Sequence, residues 1–189
     1  LWPYITIVKS HLERGELSES FGWLLDALEL DPSLGKNNIC DAVCNELRKN
    51  MMLDSAEQLI LYVLNKTGDV AWAYKQKSHM LWPTDRDQSV DCARRAYELG
   101  GDQWVVYNYI NVLLNTGQVK HSIRILDNAE KKYNNRWWWL LSKARVSNRV
   151  GDKTAAKYYA ELALTIQPEN SEIIRYLENL NALLAPLGL

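Results

Sequence analysis

Gly15-Glu16-Leu17-Ser18-Glu19-Ser20-Phe21 runs on through Leu24, Ala27 and Leu28 to Leu30-Asp31-Pro32. Gly151-Asp152-Lys153 runs on through Ala156, Ala160, Ala163 and Leu164 to Ile166-Gln167-Pro168. Each stretch reads as a turn glycine, an amphipathic helix and a proline that closes it, because proline lacks the N–H a helix interior needs. The two prolines are 136 residues apart, four units of 34. Between them Gly117 with Ser122, Leu126 and Ala129 repeats the pattern, as do Ala56, Ile60 and Val63 and, more loosely, Ser89, Ala93 and Ala96. Placing Ala27, Val63, Ala96, Ala129 and Ala163 in register gives steps of 36, 33, 33 and 34. A period of this length marks stacked helical units, none of which buries its apolar face alone.

The register and the 3.6-residue periodicity place short loops at Arg14-Gly15, Asn50-Met51, Trp82 to Asp87, Thr116-Gly117 and Val150-Gly151, each between two antiparallel helices. A single domain follows, with repeats at about 1–36, 37–69, 70–102, 103–136 and 137–169. The last helix, about 170–185, opens at Asn170-Ser171-Glu172, carries Ile173, Ile174, Leu177, Leu180, Leu183 and Leu184, and stops before Pro186. It reads as a cap on the apolar face of the fifth unit. The expected fold class is all-α: a right-handed α-α superhelical solenoid of about five antiparallel helix pairs plus a C-terminal capping helix.

These spacings resemble the tetratricopeptide repeat, whose 34-residue unit carries small and large apolar residues at fixed points and a proline near its end. The resemblance covers essentially the whole chain. The first-helix Trp, Leu, Gly and Tyr of that pattern are poorly kept, and units two, three and four lack the closing proline. The resemblance implies a scaffold for protein–protein interaction. One branch of the family grips C-terminal carboxylates with a Lys, Asn, Asn, Lys, Arg set. From unit two these positions hold Asp41, Asn45, Lys75, Trp104 and Asn108. No starting unit reproduces the set, so binding of such chaperone tails is not expected.

Composition bounds the rest. The 189 residues are 47% hydrophobic and 24% charged with a net charge of −1, which argues against a general nucleic-acid binder. The longest strongly apolar run, Trp137 to Leu141, is far short of a membrane span. Three cysteines do not make a disulfide framework, and a reducing, cytoplasmic compartment is expected. The chain starts at Leu1 and reads as a piece of a longer protein. His11, His79 and His121 are scattered, Cys40 and Cys44 read as core, and no phosphate loop or nucleophile elbow occurs. No catalytic residue, metal site or cofactor is expected.

In such a stack the first helices line the concave face, so contact residues recur at set positions. The candidate ligand-binding residues are Lys9, Asn45, Arg48, Lys49, Tyr74, Lys75, Trp104, Tyr107, Asn108, Asn111, Asn115, Trp138, Arg145 and Arg149. With only Glu13 and Asp41 opposing them on that face, the cations make the groove locally positive. Asn108, Asn111 and Asn115 share a helix face and offer amide donors and acceptors to an extended backbone. The expected partner is a protein or peptide whose extended polar or acidic segment lies in this groove. A second reading makes the chain a segment of a larger enzyme such as a bacterial polysaccharide glycosyltransferase, holding a glycan polymer. A third uses Trp2, Ile5 and Val8 as a homodimer surface. Of the abundant rings, 8 Trp and 10 Tyr against 1 Phe, Trp23 and Tyr62 are expected in the core.

Overall fold

The computed structural model describes residues 2–184, and all regular structure among them is helical. The helices are α1 (Trp2–Glu13), α2 (Leu17–Leu30), α3 (Asn38–Lys49), α4 (Leu53–Thr67), α5 (Ala71–Leu81), α6 (Arg86–Glu98), α7 (Gln103–Asn115), α8 (Val119–Tyr133), α9 (Trp137–Arg149), α10 (Lys153–Ile166) and α11 (Ser171–Leu184). A short 3-10 helix, Pro32–Lys36, follows α2, with Pro32 at its start. The stop expected before Pro186 lies outside the described residues. The chain packs as two compact units, Leu1–Val105 and Val106–Leu189, with the division inside α7.

Four hairpin turns share one geometry. Gly15, Met51, Gly117 and Gly151 each take a positive φ, between 61° and 91°. The N–H of the residue after each reaches back five positions, to the carbonyls of His11, Leu47, Leu113 and Ser147, at 2.8 to 2.9 Å. This is the Schellman ending, in which a left-handed residue turns the chain so that its neighbours bond the last carbonyls of the helix. Met51 adopts this conformation without being glycine, which strains it. The third hairpin differs. Pro83 has no N–H to donate, so Thr84 and Asp85 bond Leu81 O instead, at 3.0 and 2.7 Å. Asp85 then caps α6 by accepting from Gln88 N at 2.9 Å, so the helix starts at Arg86, inside the expected loop.

Small residues set how closely paired helices approach. The register positions Ala27, Val63, Ala96, Ala129 and Ala163 are all buried. So are Ser20, Ala56, Ser89, Ser122 and Ala156, each seven positions earlier. Two of these serines make the approach visible: Ser20 Oγ donates to Val8 O at 3.1 Å and Ser89 Oγ to Ser78 O at 2.8 Å, each from the second helix of a pair to the first.

In the first unit the core gathers Val8, Leu24, Leu28, Val43, Leu47, Leu59 and Val63, all inaccessible to solvent. Each buried aliphatic side chain of this kind contributes roughly 1.5–3 kcal/mol. Trp72 lies against the same cluster and donates its indole N–H to Gly35 O at 2.7 Å. Two expectations are corrected here. Ile5 and Val8 face inward and are buried, leaving only Trp2 exposed among the proposed dimer residues, because α1 needs that stripe to pack on α2. Trp23 is 38% exposed and meets Tyr4 edge-on instead of filling the core. In the second unit Ile110, Leu113, Leu126, Leu141 and Ile173 are buried, and α11 packs on α10 with Leu180 against Ala156.

Candidate functional site

In the first unit, polar side chains bridge α3 and α5. Lys75 Nζ donates to Asp41 Oδ2 at 2.6 Å and Gln76 Nε2 to Asp41 Oδ1 at 2.7 Å. Arg48 Nε donates to Gln76 Oε1 and its Nη2 to Asn45 Oδ1, both at 3.2 Å. Lys75 is 6% exposed, so its ammonium depends on that carboxylate for partnership. His79, on the last turn of α5, is held neutral: burial, with the Arg48 and Lys75 charges behind it, pushes its pKa down to about 4.

The second unit builds a denser network from α7, α9 and α11. Arg145 on α9 donates from Nη1 to Tyr107 Oη at 3.0 Å and to Asn111 Oδ1 at 2.7 Å, and from Nη2 to Glu172 Oε1 at 2.8 Å. Tyr107 closes the triangle by donating its hydroxyl to the same Glu172 oxygen at 2.7 Å. Burial works against the guanidinium charge, but Tyr107 and Glu172 outweigh it and hold Arg145 above its ordinary pKa. Tyr107 is pushed well above its ordinary range, chiefly by burial. The α11 helix is seated by Asn170, whose side chain caps Glu172 N at 3.0 Å, and by Tyr176, whose hydroxyl donates to Ala144 O at 3.0 Å.

Beside this network lies a concavity of about 420 Å³, lined by Asn111, Leu114, Asn115, Arg145, Asn148, Arg149, Glu172 and Tyr176. Three amides, two guanidinium groups and one carboxylate form its polar wall, a mixture of donors and acceptors suited to main-chain amides. Asn115 and Arg149 are exposed, so they reach solvent without rearrangement.

The expected site residues divide by burial. In the first unit Lys9 and Lys49 are exposed, Asn45, Arg48 and Tyr74 are half-buried, and Trp104 is 39% exposed. Lys75 is instead enclosed and neutralised by Asp41. In the second unit Asn111, Asn115, Arg145 and Arg149 meet at the concavity, while Tyr107 backs Arg145. Asn108 is 5% and Trp138 1% exposed, so neither offers a ligand surface. Trp138 is packed between the rings of Tyr107 and Tyr133, at 5.8 and 5.1 Å. Lys75, Asn108 and Trp138 lie on the stripes of α5, α7 and α9 that neighbouring side chains cover.

The positive groove is also corrected. Glu46 pairs with Lys49 at 2.7 Å, Asp41 with Lys75 and Glu172 with Arg145, so half of the six expected cations carry their own counter-ions. Glu172 and Tyr176 are not found by the sequence reading, which gives α11 only a covering role. The carboxylate in the first turn of α11, two helices after the arginine-bearing α9, is the available signal.

No family model and no curated protein matches the chain. Solved structures do. YrrB, a TPR protein with an unusual peptide-binding site, is 16% identical with a TM-score of 0.61, over 92% of this chain and 89% of its own. PilF of Pseudomonas aeruginosa is 16% identical with a TM-score of 0.67, over 98% and 90%. PilW, a widely conserved type IV pilus biogenesis factor, is 14% identical with a TM-score of 0.69, over 96% and 90%. Among the described residues no helix is long and apolar enough to cross a membrane, and no group of three or more His, Cys, Asp or Glu is placed to hold a metal ion.

Proposed function

From a chain that folds as a tetratricopeptide-repeat protein, we propose a protein-interaction scaffold whose contact site is the concavity of α7, α9 and α11. The observation that carries this reading is the convergence of Asn111, Asn115, Asn148, Arg145 and Arg149 on one recess of about 420 Å³. An extended segment of a partner protein lies there, its backbone bonded by the amides and its acidic or polar side chains drawn to Arg149. The peptide-binding site of YrrB, a protein of similar fold, is in keeping with this.

The test uses peptides selected by display on the full chain and measured by fluorescence anisotropy. Asn115→Ala and Arg149→Ala, both exposed, should each weaken a selected peptide at least about fivefold, the loss of one or two hydrogen bonds to a charged or polar group. Unchanged affinity in both variants would remove the concavity as the site.

A further inference from the structure

We propose that Glu172 is an intramolecular stand-in for a ligand carboxylate, occupying Arg145 until an acidic side chain of the bound segment displaces it. The inference rests on the concavity being the contact site and adds how that site is regulated. Arg145 has two neutral acceptors, Tyr107 Oη and Asn111 Oδ1, and takes its one charged partner from α11. Glu172 answers with a single oxygen, Oε1, which receives both the Arg145 and the Tyr107 bonds. An arginine fork matches two carboxylate oxygens, so this arrangement leaves part of its capacity unused.

The contact is also open to exchange. The Glu172 side chain is 41% exposed while Arg145 is 23% exposed, so one partner is wet and the other is fixed. Ion pairs with a solvated member contribute little and are readily replaced. Arg145, Glu172 and Tyr176 line both the concavity and a neighbouring recess of about 400 Å³ that adds Arg175 and Asn179. A ligand entering the first recess meets Arg145 in its wall, and the displaced Glu172 side chain has the second recess, beside Arg175, to turn into. The helix itself need not move: Asn170 caps it, Ile173 is buried, and Tyr176 holds Ala144 O. Rotation about the Glu172 side-chain bonds suffices.

Anisotropy titration of a fluorescein-labelled hexaglutamate peptide on the full chain tests this at low ionic strength, with hexaglutamine as the neutral control. Glu172→Gln keeps the amide oxygen on Arg145 and Tyr107 but removes the competing charge, and should bind hexaglutamate roughly tenfold tighter than wild type. The gain should vanish in Arg145→Gln/Glu172→Gln and should not appear with hexaglutamine. Equal binding by wild type and Glu172→Gln, no binding by Glu172→Gln, or a gain that survives loss of Arg145 would each overturn the stand-in. The scaffold reading fails separately, on the Asn115 and Arg149 variants with a selected peptide.

Discussion

Lys75 Nζ and Asp41 Oδ2 lie 2.6 Å apart, and their positions in the chain differ by 34, one repeat unit. Asn111 and Arg145 are likewise 34 apart and bonded at 2.7 Å. The period that sets the hydrophobic register therefore also sets which polar side chains face each other between successive first helices.

The buried member of the first pair makes it asymmetric. The Lys75 side chain is 8% exposed and that of Asp41 21%. Asp41→Ala strands an enclosed ammonium and should cost about 3 kcal/mol in urea unfolding, whereas Lys75→Met, which keeps the apolar stem and leaves a wetter carboxylate, should cost less. Equal losses would mean that Lys75 reaches water on its own.

Stability should fall on mild acidification. His79 is neutral in the folded chain down to about pH 4, while an unfolded histidine takes up its proton near pH 6.5. A folded-state pKa below the unfolded one gives stability that is complete above about 6.5 and is lost as pH falls toward 4. The loss approaches about 3 kcal/mol, and His79→Gln should flatten the pH dependence of the unfolding midpoint in that window.

The three thiols should react in order. Burial pushes Cys40 and Cys44 up to about 12, and Cys92, only partly buried, is raised less far. Ellman's reagent at pH 8 should therefore titrate one thiol in the native protein and three in urea, since the thiolate is the attacking species. Release of three equivalents without denaturant would contradict the packing of α3.

Met51 holds a φ of 61° where three sister turns use glycine. Met51→Gly should raise the unfolding free energy by about 1 kcal/mol, because glycine takes the left-handed conformation without a Cβ clash. Gly35→Ala should act oppositely. A Cβ there would stand 2.7 Å from Thr67 Cγ2 and 3.0 Å from Val63 Cγ1, an overpacking that costs about 1–3 kcal/mol. Circular-dichroism melts separate the two signs.

The fold was legible because small residues are informative at close approach. Ala27, Ala96 and Ala163 repeat in sequence for the reason that they are buried in space. The turns were legible through Gly15, Gly117 and Gly151, and even through Met51, placed by period alone. The site was legible only in part. Asn111, Asn115, Arg145 and Arg149 were found by position, but a helix face does not say which of its turns a neighbour covers, so Trp138, Asn108 and Lys75 were read as open. Counter-ions were harder still. Glu172 comes to Arg145 from another helix, and no spacing within α9 announces it.

The two 34-residue bridges differ in kind, carboxylate to ammonium in one and amide to guanidinium in the other. An unequal genetic crossover that exchanged the third unit for the fifth would set Lys75 against Tyr107, which stands in the fourth unit where Asp41 stands in the second, leaving an enclosed ammonium to face a phenol in place of its carboxylate. Shuffled arrays of this gene would thus be penalised at the first junction. The order of units is proofread by chemistry that the hydrophobic register, the same in every copy, could not supply.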